Sequence, residues 1–466
     1  MISMNSYTKL KKNTIIFLCG SFGAKILSII LLPYYTNILS TEEFGKAELL
    51  LTIVGLLIPL LSCSFTDAVL RFSMDNTCEK KDVLNWGFIV ILFSNLVGIL
   101  LYPILCLFIE KNLVPRLYIY MICMSIYGLF SSFVRGIGKT VIYAIGGLIY
   151  TIVYSVSNIV LLSVMKLGIL GYIDSSIIAC IVASIYYFIF ANLKEYLLVS
   201  GRKNYLLLRE MLKYSIPLIP NNISWWISNS SDKFLIDLYI STSETGLYSI
   251  AYRVPNLINT VASVFINAWQ LATVENLDKN ESKKFYVTVY NIYFKYMVLI
   301  SAFVILSSKF ISKILFSKDF YNAWVFIPAL VLAAFFCNLS TFVGGILTAY
   351  KSTKIIFVST TVGAVINIVL NLMVIPFYGG VGAAWTTCIS YSIMFGLRIV
   401  FLYKNMSISL CKKSQYGVMI LLFIQAIIFP YLTYMNVFLV ALIVGIYVKT
   451  ILADIRNGIK KFVKRF

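Results

Sequence analysis

The sequence predicts an all-α polytopic membrane protein with about 14 transmembrane helices, and three observations support this fold class. Hydrophobic residues make up 60% of the 466 residues and charged residues only 12%, whereas soluble proteins carry about 25% charged residues. Apolar runs long enough to span a bilayer recur along the whole chain. A short polar motif occurs at Ser40 and again at Ser241, each time between two long apolar segments.

Each predicted span is a run of about 20 mostly apolar residues. The spans lie near residues 14–35, 47–70, 84–109, 117–135, 140–165, 168–192, 214–238, 247–274, 285–306, 324–350, 355–376, 380–402, 416–434 and 436–453. The uncharged stretch 355–397 is too long for one helix, so we divide it at Tyr378-Gly379-Gly380.

Basic residues indicate how the spans cross the membrane. With the N-terminus in the cytoplasm, the inner connections hold about three times as many Lys and Arg residues as the outer ones. This asymmetry predicts that both termini are cytoplasmic and that the number of helices is even. The same scattered distribution excludes nucleic acid as a partner, although the formal net charge is +20.

Composition also limits the chemistry. The chain has no histidine, which removes a histidine proton relay, a histidine-ligated metal and a Ser-His or Cys-His nucleophile. The nine cysteines form no CxxC pair, and most lie inside apolar segments, as expected of small buried residues. No cleavable signal peptide is evident. We therefore predict no cofactor, no metal site and no catalytic residue.

The repeated motif predicts an internal duplication. Ser40-x-x-Glu43 and Ser241-x-x-Glu244 each have the form of a capping box at a helix start, and Asn158-Ile-Val-Leu161 recurs as Asn367-Ile-Val-Leu370. The alternative for the two glutamates is an acidic catalytic pair, as in a membrane glycosyltransferase. Six helices per half give a parallel repeat, a common build of secondary transporters. The predicted organisation is an N-terminal lobe of helices 1–6, a basic cytoplasmic linker, a C-terminal lobe of helices 7–12, and helices 13 and 14 with a basic tail: residues 1–193, 194–213, 214–403 and 404–466.

Charged residues inside predicted spans are the candidate site residues, because each costs a few kcal/mol or more unless it faces a cavity or a partner. Lys25 lies half-way along helix 1, Lys233 in helix 7 and Arg253 in helix 8. The alternative for Lys233 is an ion pair with its own aspartates or with a neighbouring helix.

Four acidic residues are candidates for ion coupling or for structural ion pairs: Asp67, Asp174, Asp232 and Asp237. Asp67 is four residues from Arg71, a spacing that favours an ion pair on one helix face. Arg135 and Arg398 fall at predicted inner helix ends, where a long basic side chain reaches the interface.

Several stretches resemble the polysaccharide transporter family of bacterial lipid-linked oligosaccharide flippases. They are Leu32-Pro-Tyr-Tyr-Thr36 with the first repeated motif, Ile216-Pro-Leu-Ile-Pro220-Asn-Asn, Ser231-Asp-Lys-Phe-Leu-Ile236, Gly246-Leu-Tyr-Ser-Ile-Ala-Tyr252 and Phe320-Tyr-Asn-Ala-Trp324. The family often has arginine at the position of Lys233, so the charge is kept here but bidentate phosphate contact is not. The family is related to the multidrug and toxic-compound extrusion carriers.

The resemblance implies two six-helix lobes that enclose a central cavity and alternate between two access states. It also implies a substrate, undecaprenyl-pyrophosphate-linked oligosaccharide, moved from the inner to the outer leaflet of the bacterial inner membrane for O-antigen, lipopolysaccharide or capsule synthesis. The implied partners are membrane lipid, a proton or sodium gradient and the polymerase of the same pathway. Lys25, Lys233 and Arg253 would neutralise the pyrophosphate.

Two other functions stay open at this point. A drug or small-cation antiporter on the same fold would need acidic residues deep in its lobes, whereas the deep charge here is mostly basic. A polysaccharide polymerase or ligase would need a long outer loop for its chemistry, and the longest outer loop, near residues 307–323, holds only Asp319 as a carboxylate.

Overall fold

The computed structural model describes residues 30–75, 77–197, 204–275, 282–432 and 434–448. These residues form helices and connecting turns without a β-strand. They divide into two compact units, the first ending at Phe234 and the second beginning at Leu235. Eight of the described helices are long and apolar enough to cross a membrane, which confirms the predicted all-α membrane fold class.

The first unit contains ten helices and the beginning of an eleventh in its described residues. They are α1 Leu32–Ile38, α2 Thr41–Leu61, α3 Phe65–Ser73, α4 Lys80–Ile99, α5 Tyr102–Phe108, α6 Val114–Gly136, α7 Thr140–Ile159, α8 Gly168–Phe190, α9 Lys194–Leu197, α10 Tyr205–Ser215 and α11 Ile219–Tyr239. The unit boundary lies within α11. The predicted linker 194–213 therefore contributes to α9 and α10.

In the second unit, the described helices after α11 are α12 Thr242–Ala251, α13 Arg253–Glu275, α14 Ser282–Leu306, α15 Ser308–Leu315, α16 Ile327–Ala349, α17 Thr353–Met406, α18 Lys413–Ile428 and α19 Tyr434–Val448. The helix α16 is the most buried of them and packs against α13, α14, α17 and α18. It is apolar on every side, as expected for a helix at the centre of a bundle.

Proline explains where several predicted spans are divided. The predicted helix 84–109 breaks into α4 and α5 before Pro103, and the predicted helix 247–274 breaks into α12 and α13 before Pro255. Proline has no backbone N–H, and its ring clashes with the carbonyl four residues earlier. The predicted helix 47–70 ends instead at Leu61, followed by Cys63 and Ser64 with φ of 51°.

The predicted division at residues 378–380 is confirmed. The chain runs helically from Thr353 to Met406 except at Gly379, whose φ of 56° and ψ of −143° interrupt the helix. This conformation is open essentially to glycine alone. A Cβ atom at Gly379 would also lie 2.4 Å from Glu244 Oε1. The glycine therefore allows both the bend and the close approach of the glutamate.

The expectation that Arg398 lies at a helix end and reaches the membrane interface was wrong. Its side chain does not reach an interface but is buried, with only 2% of its surface exposed. Its Nε donates to Ser359 Oγ at 2.9 Å, its Nη1 to the Ser340 carbonyl at 2.8 Å and its Nη2 to Thr360 Oγ1 at 3.0 Å. The guanidinium thus joins α16 to both ends of its own bent helix. Arg135 is exposed as expected, and it stacks on Tyr143.

We predict that Arg398→Met lowers the thermal unfolding midpoint of the detergent-solubilised protein. The substitution leaves three buried acceptors without their donor, at a cost of about 1–3 kcal/mol for each group left unsatisfied. Arg135→Met is the matched control, and its midpoint should stay near that of the wild type because Arg135 is exposed. Equal midpoints for the two variants would show that the hydrogen bonds of Arg398 do not stabilise the folded protein.

We also predict that Gly379→Ala destabilises the protein, by about 1–3 kcal/mol from backbone strain alone. Gly396→Ala, further along the same helix, should be neutral or stabilising, because a Cβ atom there meets nothing within 4 Å and alanine favours a helix. Thermal unfolding of the two variants side by side is the measurement. A neutral Gly379→Ala would show that the interruption does not depend on glycine.

Candidate functional site

Helix α11 places a row of polar side chains against α2 and α3 within the first unit. Asn222, Trp226 and Lys233 are spaced so that they share one face of the helix, and we refer to them as the α11 polar face. The Trp226 indole Nε1 donates to the Thr52 carbonyl at 3.0 Å. The same ring lies 3.9 Å from the position that a Cβ atom would take at Gly55. A glycine on α2 thus makes room for the indole.

Asn222 is the first residue of the α11 polar face. Its Nδ2 donates to Ser64 Oγ at 3.0 Å and to Asp67 Oδ2 at 3.3 Å, so Asp67 is bound to α11. Among the described residues, the expected ion pair between Asp67 and Arg71 is not formed. Ser64, in the left-handed region, turns the chain between α2 and α3 and thereby presents both acceptors to Asn222.

Lys233 forms a buried ion pair with Glu48. The Nζ atom lies 3.0 Å from Glu48 Oε2, and the two side chains are only 13% and 8% exposed. Glu48 lies two turns into α2, whereas Lys233 lies 185 positions later on α11. The alternative for Lys233, a pair with a neighbouring helix, is therefore what the structure contains. Such a pair stabilises only while both charges are present, because removing one leaves the other buried and uncompensated.

Asp232 precedes Lys233 and is almost completely buried, with 1% of its surface exposed. Its Oδ1 accepts the backbone N–H of Lys233 at 3.0 Å. A second carboxylate therefore lies next to the Lys233–Glu48 pair in the sequence and along the same helix. The structure thus brings Glu48 and Lys233 together at the contact of α2 with α11, and Asp232 lies next to Lys233 on α11.

Sequence reasoning missed Glu48. It lies about two turns into α2 and is the second residue of the predicted span 47–70. The helical spacing could have indicated Glu48. It lies on the same side of the helix as Thr52 and Gly55, the positions that contact Trp226.

The other predicted site residues lie elsewhere. Lys25 lies outside the described residues. Arg253 begins α13 and Asp237 lies near the end of α11, both in the second unit. The Oδ1 atom of Asp237 is buried and makes no hydrogen bond to the described residues. Asp174 pairs with Arg116 at 3.2 Å between α8 and α6, which gives it a structural ion pair.

The two glutamates of the repeated motif are held by backbone N–H groups. Glu43 forms the complete capping box, with its N–H 3.1 Å from Ser40 Oγ and its Oε2 3.0 Å from the Ser40 N–H nitrogen. The second box is only half formed. Ser241 Oγ accepts from the Glu244 N–H at 3.1 Å, but Glu244 Oε1 accepts from the Gly380 N–H at 2.6 Å.

These contacts favour the structural interpretation of the repeated motif over an acidic catalytic pair. Glu43 closes the start of α2, and its Oε1 lies 2.9 Å from where a Cβ atom of Gly168 would be, at the start of α8. Glu244 binds the corresponding turn of the second unit at Gly379 and Gly380. In both units, the glutamate lies against a glycine with positive φ, which is Gly168 at the start of α8 and Gly379 at the bend of α17. The described residues contain no cluster of three potential metal ligands.

The sequence matches a known family and two curated proteins. Residues 10–270 match the family described as polysaccharide biosynthesis protein. The "Probable low-salt glycan biosynthesis flippase Agl15" of Haloferax volcanii is 24% identical over 245 residues, which cover 51% of this chain and 52% of that protein. The "Uncharacterized membrane protein MJ1068" of Methanocaldococcus jannaschii is 28% identical over 144 residues, 29% of this chain and 28% of that protein. The chain thus spans about half, or less, of the length of these relatives.

Solved structures show the same fold over more of the chain. The structure titled "Lipid II flippase MurJ, inward closed conformation" has a TM-score of 0.69 and 16% identity, covering 95% of this chain and 99% of that one. An inward-facing multidrug resistance MATE family transporter of the MOP superfamily also has a TM-score of 0.69, with 12% identity, covering 87% of this chain and 99% of that one. At these identities the similarity shows the fold.

A double-mutant cycle tests the Lys233–Glu48 pair as a stability element. We expect Glu48→Gln and Lys233→Met each to lower the thermal midpoint, and the double variant to recover part of the loss, because no charge is then left buried alone. The coupling free energy should be about 0.5–3 kcal/mol. Strictly additive single effects would show that the two charges do not interact in the folded protein.

Proposed function

Because the chain belongs to the polysaccharide biosynthesis protein family, we propose that it is a flippase of undecaprenyl-pyrophosphate-linked oligosaccharide. The substrate would move from the inner to the outer leaflet of the bacterial cytoplasmic membrane by alternating access, in O-antigen, lipopolysaccharide or capsule synthesis. Both termini would lie in the cytoplasm. The Haloferax relative and the lipid II structure, whose names describe flippases, support transport of a lipid-linked glycan.

The observation that carries this proposal is the buried ammonium group of Lys233. A pyrophosphate cannot cross hydrocarbon unaided, because moving an anion out of water costs far more than any sugar contact returns. A cation held inside the membrane-spanning part of the protein offsets that cost. Lys233 is such a cation, and one of its partners is the Glu48 carboxylate, whose place an anionic head group would take.

Lys25 and Arg253 are proposed to assist Lys233 in neutralising the pyrophosphate, while the lipid tail stays in the bilayer. Membrane lipid and the polymerase that consumes the flipped unit are the proposed partners, and a proton or sodium gradient is the proposed energy source. Among the predicted acidic residues, Asp237 is the proposed site of ion coupling, because its Oδ1 is buried and makes no hydrogen bond to the described residues, whereas Asp67 and Asp174 are bound to Asn222 and Arg116.

One observation favours a second candidate function, a drug or small-cation antiporter. Glu48 and Asp232 are both buried in the first unit, and deep carboxylates are what a cation carrier requires. The fold match to the multidrug resistance transporter is as close as the match to the lipid II flippase. The two functions differ in the sign of the charge that is carried, so substrate assays separate them.

The direct experiment is deletion of the gene, followed by measurement of surface polysaccharide and of the leaflet in which undecaprenyl-linked repeat units accumulate. We expect surface polymer to be lost and single repeat units to be trapped on the cytoplasmic side. Single units on the outer side would instead identify a polymerase. Intact polymer with raised drug sensitivity would identify the antiporter.

Complementation with variants then tests Lys233. We predict that Lys233→Met reduces polysaccharide export at least tenfold, a loss of about 1.4 kcal/mol or more in substrate binding. The charge swap Glu48→Lys with Lys233→Glu should restore the folded protein but not export, because the cation is then on the wrong helix. Lys46→Met is the matched control, since Lys46 lies on α2 and pairs at the surface with Glu42 and Glu110. Full export by the charge swap would assign the pair a structural role alone.

A further inference from the structure

We propose that one side of helix α13 binds the oligosaccharide part of the substrate, so that the sugars lie along this helix during transport. This inference rests on the proposed function, in which a lipid-linked oligosaccharide is carried, and it adds which part of the protein holds the sugars. The side consists of six neutral polar residues, all in the second unit, which we call the α13 polar stripe: Asn256, Asn259, Thr260, Ser263, Asn267 and Gln270.

The spacing of the α13 polar stripe places its members on one side of the helix. Residues three or four positions apart are neighbours on a helix surface. With 3.6 residues per turn, all six members fall within an arc of about 100°. No apolar residue between Asn256 and Gln270 falls in that arc. At a rise of 1.5 Å per residue, the stripe runs for about 21 Å along the helix axis, which is long enough to follow several sugar rings.

The stripe is open in the structure, although α13 is long enough to cross a membrane. The helix has 23 residues, and so is about 34 Å long, but it is not one of the eight described helices that are apolar enough to span. Asn256, Ser263, Asn267 and Gln270 are all exposed. Amides and hydroxyls that face lipid without a hydrogen-bond partner are costly. The stripe therefore suits a water-filled space or a polar ligand, and not lipid.

The side chains of the stripe keep most of their capacity for hydrogen bonds. Within the described part of the chain, Asn259 is the member that is bound to another helix, and its Oδ1 accepts from Asn338 Nδ2 on α16 at 2.6 Å. The two hydroxyls of the stripe donate to carbonyls of α13 itself, so their oxygens can still accept. The amides of Asn267 and Gln270 form no hydrogen bond with the described residues. Each of these amides therefore offers two donors and an acceptor to a ligand.

The charges along α13 match those of a lipid-linked oligosaccharide. The stripe contains no ionised group between Asn256 and Gln270, and a sugar hydroxyl is both donor and acceptor, as an amide side chain is. Arg253, which is proposed to help neutralise the pyrophosphate, lies one turn before Asn256. The helix thus carries a cation followed by neutral polar groups, as the substrate carries an anion followed by sugars. Hydrogen bonds between neutral groups exchange readily with those of water, which allows the sugars to be released.

The packing of α13 depends mainly on its opposite, apolar side. Leu257, Val261 and Phe265 line an apolar cavity of about 320 Å³ together with residues of α14. Trp269 is buried, and its indole Nε1 donates to the Phe342 carbonyl on α16 at 2.9 Å. Substitutions at the exposed members of the stripe should therefore leave the folded structure intact, so that their effect on binding can be measured separately.

The experiment compares two lipids that differ only in the sugars, with the full chain in lipid nanodiscs. One is the undecaprenyl-pyrophosphate-linked repeat unit purified from the deletion strain, and the other is undecaprenyl pyrophosphate alone. The proteins are the wild type, Asn267→Leu, Gln270→Met, the double variant of these two, and a double variant that keeps both amides, Asn267→Gln with Gln270→Asn. Asn405→Leu is the matched control, because it removes an exposed amide near the end of α17. Thermal unfolding of each variant checks the fold.

We expect the apolar double variant to bind the repeat unit about tenfold more weakly and each single variant about threefold more weakly, because hydrogen bonds to the sugars are lost. Binding of undecaprenyl pyrophosphate should stay unchanged, and the variant that keeps both amides should bind the repeat unit nearly as the wild type does. Unchanged binding of the repeat unit by the single and double variants would overturn this inference. An equal loss with both lipids would also overturn it, because the stripe would then contact the pyrophosphate. In both cases the proposed function stands, whereas it fails if the wild type binds neither lipid.

Discussion

The cost of burying charge between packed helices determines how Lys233 and Glu48 are arranged in this protein. A lysine or glutamate alone in such a place would cost several kcal/mol, and here Lys233 and Glu48 occur as a pair. The pair joins α2 to α11, and Asn222 and Trp226 bind α2 and α3 from the same helix face. Loss of either charge would therefore weaken the packing of α11 against α2.

A similar constraint acts on the backbone, because the first N–H groups of a helix have no acceptor within the helix. Helix starts need acceptors, and the repeated Ser-x-x-Glu motif provides them. The two copies do so differently. Glu43 completes its own capping box, whereas Glu244 crosses to the Gly380 N–H at the bend of α17. The same sequence pattern thus provides an acceptor for a different backbone N–H group in each copy.

Sequence reasoning predicted the fold class and the helix division at Gly379, because each depends on local composition or spacing. The duplication stays a prediction. It did not predict the partner of Lys233, because Glu48 lies 185 positions away and its pairing depends on helix packing. Arg398 was missed for the same reason. Its position near a helix end suggested an interfacial side chain, but the bend at Gly379 folds its helix back, so that Ser359 and Ser340 surround it.

Arg398 and Lys233, two cations with little exposed surface, are held in different ways. Arg398 is held by two hydroxyls and a carbonyl, neutral groups that no proton can release at ordinary pH, and its planar fork fixes all three contacts together. Lys233 is held by a carboxylate, which a proton can neutralise. Its single ammonium group can turn to a new acceptor without losing a fixed geometry.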